Sequence, residues 1–164
     1  KMSGENPYSI VDLNQLHEYL VRYTEEEGLY HADINDEVKT ILDFKAEDLK
    51  ELSASDLYIA SCLVTTYTTY IVSRLGYHQS IFKWCKDTIK RIVAKNSDQY
   101  DKYTKYEQKV ELIIMSDDFA IKVDKARRFA EYKVFMIKEK LEDLRLYSDR
   151  LERLGRIRNY DTSR

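Results

Sequence analysis

Apolar side chains recur every three or four residues along most of this chain, a spacing that places them on one face of an α-helix. Ser53, with Asp56 three residues later, is typical of a capping box at the start of a long helix. This helix is about 40 residues long and continues to a polar loop at 95–105. The other helices are predicted at residues 9–27, 35–43, 104–115 and 117–159.

The junction between the last two predicted helices contains neither glycine nor proline. Ser116 and Asp117 carry side-chain oxygens that accept hydrogen bonds from the free N–H groups of a new helix. Carboxylates are also favoured at the positive end of a helix dipole. The predicted fold is therefore all-α: two long helices form a hairpin, joined by a short connector helix, with a small acidic helical region in front.

Charge is unevenly distributed along the chain, whose formal net charge is −2. Residues 1–52 hold 5 Lys and Arg against 13 Asp and Glu, which gives −8. Residues 53–164 hold 22 against 16, which gives +6. We predict an acidic helical N-terminal domain, 1–52, and a long-helix domain, 53–164. The basic excess is either ordinary uneven surface charge or the sign of a polyanionic partner.

The second long helix has an apolar stripe from Ala126 to Leu154 whose steps of three and four are close to a heptad. One hairpin is not expected to cover all the apolar positions of both long helices, and a large uncovered patch usually meets a partner. The stripe therefore predicts a homo-oligomer. The expected interface residues are Ala130, Val134, Ile137, Leu141, Leu144 and Leu151.

The chemistry-bearing residues do not form a familiar catalytic or metal-binding pattern. His17, His31 and His78 are isolated from other ligands at metal-binding spacings. The chain has no glycine-rich phosphate loop and no G-x-S-x-G elbow. We expect no metal, no cofactor and no enzymatic activity. The absence of an 18-residue apolar run predicts no membrane partner.

The two cysteines, Cys62 and Cys85, fall on the first long helix. At about 1.5 Å per residue they are roughly 35 Å apart, which is too far for a disulfide. We expect both to be reduced thiols in the core of a cytoplasmic protein.

A basic segment lies in the second half of the first long helix, in the run FKWCKDTIKRIVAK. Its cations track phosphates if the segment binds nucleic acid, and its aromatic rings can stack on unpaired bases. Alternatively, Trp84 belongs to the core and the lysines form a solvated face. A second group of cations, from Arg145 to Arg158, suits a helix C-terminus. The candidate DNA-binding residues are Lys83, Trp84, Lys86, Lys90, Arg91 and Lys95.

Three tyrosines, Tyr100, Tyr103 and Tyr106, are spaced by three in a lysine-rich loop beside the short helix. Their rings either stack on bases or anchor the connector helix. Anchoring is the simpler interpretation.

The order of these segments resembles the UvsY-like recombination mediators of tailed phages over about residues 50–158. The resemblance rests on scattered positions in helical sequence. They are Leu52 and Ser53, Trp84 and Cys85, Tyr106 and Glu107, Ser116 and Asp118, Val123 and Asp124, Tyr132, and Arg150 with Leu151 and Leu154.

The resemblance implies a small, non-enzymatic protein that assembles into rings, binds single-stranded DNA and helps to load a RecA-like recombinase against the single-stranded DNA-binding protein. It places DNA contacts at Lys83, Lys86, Lys90 and Arg91, and ring contacts on the C-terminal helix. Such a protein acts in the cytoplasm of the host cell. The alternative is a helical interaction protein, such as a phage structural or assembly protein or a host-enzyme inhibitor, that does not bind nucleic acid. The pI of about 6.0 favours this alternative.

Overall fold

The computed structural model describes residues 12–26 and 36–161, and every regular element in those residues is helical. A 3₁₀ turn, Ser97–Gln99, follows the fourth α-helix. The α-helices are α1 (Leu13–Glu26), α2 (Asp36–Leu42), α3 (Ala46–Glu51), α4 (Ala54–Asn96), α5 (Tyr106–Ser116) and α6 (Asp118–Asp161).

The two long helices, α4 and α6, contain 43 and 44 residues. They pack together, which confirms the prediction of an all-α fold with a long helix pair. Ser61 of α4 lies against Ser148 of α6, with their hydroxyl oxygens 2.9 Å apart. A Cβ on Gly155 would lie 3.3 Å from the carbonyl oxygen of Ala54. The earlier residue of α4, Ala54, lies against the later residue of α6, Gly155. The two helices are therefore antiparallel at this end.

By packing, the chain divides into two compact units, and each long helix contributes a segment to both. Unit 1 contains α1 and the segment Gly76–Phe135; unit 2 contains α2, α3, and the segments 54–75 and 136–161 among the described residues. The predicted boundary between residues 52 and 53 separates the chain by charge rather than by packing, and it stays a prediction.

Unit 1 has a hydrophobic core between α1 and the α4, α5 and α6 segments. Its buried members include Leu16 of α1, Cys85 and Ile89 of α4, Ile113 of α5 and Val123 of α6. Burial of apolar surface from four helices is the main term that holds this unit together. The α4 segment is thus fixed along one face, while its opposite face meets solvent.

Unit 2 has its own core, in which Ile41 of α2 packs with Leu57 and Val64 of α4 and with Leu144 and Leu151 of α6. The hydroxyl of Tyr147 donates a 2.7 Å hydrogen bond to the carbonyl oxygen of Ile41, and burial raises the pKa of that phenol. The short helix α2 therefore covers apolar surface that the hairpin alone leaves open.

The capping box at the start of α4 is confirmed. The Ser53 hydroxyl oxygen accepts a 3.1 Å hydrogen bond from the Asp56 backbone N–H, and the Asp56 carboxylate accepts a 3.1 Å bond from the Ser53 N–H. The same carboxylate also accepts a 2.6 Å hydrogen bond from the Ser53 hydroxyl. Hydrogen bonds from Ser53 lower the pKa of Asp56, because they favour the ionised form.

The junction between α5 and α6 consists of one non-helical residue, Asp117. The Asp117 carboxylate accepts a 2.8 Å hydrogen bond from the Ala120 N–H, as an N-cap does. The prediction of a helix start at this point is confirmed. The prediction that Ser116 is also an N-cap is wrong, since its hydroxyl donates back to the Ile113 carbonyl oxygen at 2.9 Å within α5.

The cysteines differ in their surroundings. Cys85 is fully buried in the unit 1 core, and burial raises the pKa of its thiol to about 11. Cys62 is exposed, so the prediction that both thiols lie in the core is wrong for Cys62. Its neighbours on α4, Ser61 and Leu63, take the inward and half-buried positions instead.

Candidate nucleic-acid interface

Five cations of the α4 segment in unit 1 lie on its solvent side, and all five side chains are exposed. We call this set the basic face: Lys83, Lys86, Lys90, Arg91 and Lys95. At about 100° per residue, Lys83, Lys86 and Lys90 fall within an arc of roughly 60°, and form one row along the helix. Arg91 and Lys95 lie further around the same helix.

Core packing fixes this row in place from the opposite side of α4. Ile81, Cys85 and Ile89 are buried on the side of α4 that faces away from the lysines. Trp84 and Phe82 are half-buried and pack against the same core. The Trp84 ring is thus part of the packing of unit 1, which agrees with the alternative interpretation that Trp84 belongs to the core. The ammonium groups project from a helix that the core holds rigidly.

The lysines of the row are not neutralised by neighbouring acids. Among ion pairs within residues 12–26 and 36–161, none involves Lys83, Lys86 or Lys90. The Lys86 ammonium lies 6.0 Å from the centre of the Phe82 ring, at the limit of a cation–π contact. The half-buried Asp87 is the one acid in the run from residue 83 to 95. Three ammonium groups in a row therefore give a local positive field on a chain of net charge −2.

Two arginines of α6 in unit 1 are engaged by carboxylates. Asp124 is 7% exposed and accepts hydrogen bonds from Arg127 at 2.9 Å and from Arg128 at 2.8 Å. Arg127 also donates to Glu131 at 3.1 Å. A buried carboxylate needs such partners, because desolvation of an unpaired charge is costly. These arginines have a structural role that the lysines of α4 do not share.

Two of the C-terminal cations are also tied to the protein. Arg156 forms an ion pair with Glu152 on the same helix. Arg158 donates from Nη2 to the carbonyl oxygen of Leu49, at the C-terminal end of α3. Asp149, Glu152, Arg153 and Arg156 line an open surface depression of mixed charge. This group is therefore a weaker candidate for a polyanion site than the basic face.

The three tyrosines after α4 have different surroundings. Tyr100 packs against the unit 1 core, as anchoring predicts. Tyr103 is 82% exposed and Tyr106 is 64% exposed, so the anchoring interpretation is wrong for these two. Both rings lie beside exposed lysines, Lys102 and Lys105.

Most of the predicted oligomer interface lies inside the chain. Four of the residues are 0–7% exposed, and two are half-buried. The four are Ala130, Leu141, Leu144 and Leu151; the two are Val134 and Ile137. The premise that the hairpin leaves this stripe uncovered is wrong for the four buried residues. Ala130 belongs to the core that α1 enters, and Leu144 and Leu151 belong to the core that α2 enters. Self-association itself stays a prediction.

Sequence periodicity missed a row of aromatic side chains on the opposite side of α6. Phe129, Tyr132 and Phe135 are 62%, 59% and 58% exposed. The Lys133 ammonium lies 4.6 Å from the centre of the Phe129 ring. Three exposed rings within seven residues form an apolar patch of the kind that meets a partner. The signal was present in the sequence as large apolar residues outside the inward stripe.

No helix in the described part of the chain is long and apolar enough to cross a membrane. Residues 12–26 and 36–161 hold no group of three or more His, Cys, Asp or Glu side chains placed to bind a metal ion. Comparison with family models, curated proteins and solved structures found no match to this chain.

Proposed function

We propose that this protein is a non-enzymatic, oligomeric single-stranded DNA-binding protein that assists homologous recombination in a tailed phage by helping to load a RecA-like recombinase. The observation that carries DNA binding is the exposed row of Lys83, Lys86 and Lys90, which has no ion pairs within the described residues. The resemblance to UvsY-like mediators supports the role in recombination and a site of action in the host cytoplasm.

The chemistry of the row favours binding to a nucleic-acid backbone rather than base recognition. Lysine ammonium groups act as point charges on phosphates, whereas base reading uses planar groups with paired donors and acceptors. Phosphate contacts release condensed counterions, so affinity is expected to fall steeply with salt. The binding is therefore expected to depend little on sequence.

Self-association would repeat the row in every subunit. A weak site gains affinity when several copies bind one strand, because later contacts are intramolecular. The aromatic row of Phe129, Tyr132 and Phe135 supports this part of the proposal, since its rings remain open in the single chain. A ring of such subunits binds a polyanion through local fields even though each chain carries a net charge of −2.

The test replaces Lys86 and Lys90 by alanine and measures the anisotropy of a labelled single-stranded oligonucleotide at several salt concentrations. Two lost phosphate contacts are expected to weaken binding and to reduce the log–log salt slope by about 1.4 per site. Lys138→Ala with Lys140→Ala on α6 is the matched control, because it removes the same charge from exposed positions. Helicity and oligomer size are expected to stay unchanged in both variants.

Equal affinity and slope for the parent and the Lys86/Lys90 variant would place the site elsewhere and contradict the proposal for this face. A parent that does not bind even at low salt would overturn DNA binding altogether.

A second candidate function is a helical protein–protein interaction factor, for example in phage assembly or in inhibition of a host enzyme. The exposed rings of Phe129, Tyr132 and Phe135 favour it, since aromatic residues are enriched in protein interfaces. Under this alternative, Phe129→Ser with Phe135→Ser would abolish partner binding, and the lysine variants would have no effect. The two candidates therefore differ in what they predict for the lysine variants, which weaken DNA binding under the first candidate and have no effect under the second.

A further inference from the structure

We infer that Tyr103 and Tyr106 stack on unpaired bases of a bound strand, so that the turn after α4 extends the basic face. This inference rests on the proposed function and adds a second kind of contact to it. The ligand is a single-stranded nucleic acid, recognised through both its phosphates and its base faces.

The exposure of the two rings is the first observation. Tyr103 and Tyr106 are 82% and 64% exposed, although Tyr100, three residues earlier, is packed against the unit 1 core. A single exposed tyrosine needs no explanation. Two within four residues, each preceded by an exposed lysine, form a local arrangement that a stacked ligand would cover.

The backbone that carries the rings is held by hydrogen bonds. The Tyr103 N–H donates to the Asp101 carboxylate at 2.9 Å, and the Thr104 N–H donates to the Asp101 carbonyl oxygen at 3.0 Å. Tyr106 is the first residue of α5. Both rings are thus carried by backbone that is held in place, and a tyrosine side chain has few torsion angles that binding would fix. Stacking therefore costs less conformational entropy than it would on an unstructured loop.

The exposed charges around the rings are of both signs, with the acids Asp101 and Glu107 beside two lysines that can contact phosphates. Lys102 and Lys105 are exposed, and the Lys102 ammonium lies 5.2 Å from the centre of the Tyr103 ring. Lys95, the last cation of the basic face, is only seven residues before Lys102. Seven residues of polypeptide span at most about 25 Å. One bound DNA strand can therefore contact both the basic face and the lysines beside the rings.

Alternating rings and cations match a single strand better than a duplex. Every base has a π-face, and stacking on an aromatic side chain is tolerant of sequence. In a duplex those faces are covered by neighbouring bases, so the rings reach them only at ends or unpaired sites. Poor binding of duplex DNA is therefore part of the expectation.

The test compares an oligo(dT) with an abasic oligonucleotide of the same length, which keeps the phosphates and lacks the bases. The parent protein should bind oligo(dT) more tightly than the abasic strand. Tyr103→Leu with Tyr106→Leu should weaken oligo(dT) binding about 5-fold or more per ring and leave abasic binding unchanged. Tyr103→Phe with Tyr106→Phe keeps both rings and should retain the parent affinity.

Tyr160→Leu is the matched control, since Tyr160 is 77% exposed on α6 and lies outside the turn. Circular dichroism and light scattering establish that each variant keeps its helices and its assembly. Equal binding of both strands by the parent would overturn stacking and leave the lysine row intact. A Leu variant that matches the parent, or a Phe variant that loses as much as Leu, would also overturn it. Binding of neither strand by the parent would overturn the proposed function itself, and stacking with it.

Discussion

Replacement of Leu144 by alanine tests whether the stripe on α6 packs inside the chain or against another subunit. The Leu144 side chain is 1% exposed and packs in the unit 2 core with Leu57, Val64 and Leu151. Full burial of a leucine side chain contributes about 1.5–3 kcal/mol. The cavity left by truncation adds to that loss, so Leu→Ala changes at such sites cost about 2–5 kcal/mol. Since domains are stable by only about 5–15 kcal/mol, the expected loss is a large share of the total.

The free energy of unfolding is measured by urea denaturation, followed by far-ultraviolet circular dichroism. Leu146→Ala is the matched control, because Leu146 lies two residues away and is 47% exposed. Its effect is expected to stay within about 0.5 kcal/mol. Light scattering on the same samples reports the oligomeric state. The packing of unit 2 would be refuted if Leu144→Ala cost less than about 1 kcal/mol and instead dissociated an oligomer.

Three further outcomes are expected from helix ends and thiols. Asp117→Ala should lower the free energy of unfolding by about 0.5–2 kcal/mol through loss of the α6 cap. Ser116→Ala should lower it less, because the Ser116 hydroxyl forms its hydrogen bond within α5. Urea denaturation measures both changes. Ser53→Ala should cost about as much as Asp117→Ala in the same assay, since it removes the cap of α4. With a thiol reagent at pH 8, Cys62 should react at once and Cys85 only after unfolding. The Cys85 thiol is buried, and its pKa of about 11 keeps it protonated at that pH. Equal reaction rates for the two thiols would contradict the burial of Cys85.

The sequence pattern predicts the helices well, because helix starts depend on local chemistry. The Ser53 capping box and the Asp117 cap are short-range features that involve only neighbouring residues. The long apolar stripe on α6 likewise identifies its buried side. Such local features require no knowledge of what lies across the core.

What covers that stripe could not be predicted from periodicity. A pattern of three and four shows which side of a helix is apolar, but not how many elements reach it. Leu16 of α1 and Ile41 of α2 enter the two cores, so these short helices take the place expected for a second subunit. The exposure of Cys62, by contrast, follows from the helical period, since Cys62 lies one position away from the buried Ser61 on α4.

The candidate site was predicted in part. The exposed side of Lys83, Lys86 and Lys90 follows from their spacing on a helix whose other side is apolar. The exposure of Tyr103 does not follow from sequence, because a spacing of three in a turn fixes no common face. The aromatic row on α6 was not predicted, because the helical period identifies the inward stripe but does not explain large apolar residues on the opposite side.

The most direct test of the proposed function is an anisotropy titration of the parent protein with a labelled oligo(dT) of roughly 30 nucleotides, about twice the length that the largest single-domain sites of OB-fold proteins cover. The titration is repeated between about 50 and 200 mM salt, with a duplex of equal length beside it. We predict saturable binding to the single strand, with a log–log salt slope of about −2 or steeper from the three lysines of the row. Absence of binding at the lowest salt, or a slope near zero, would contradict the account.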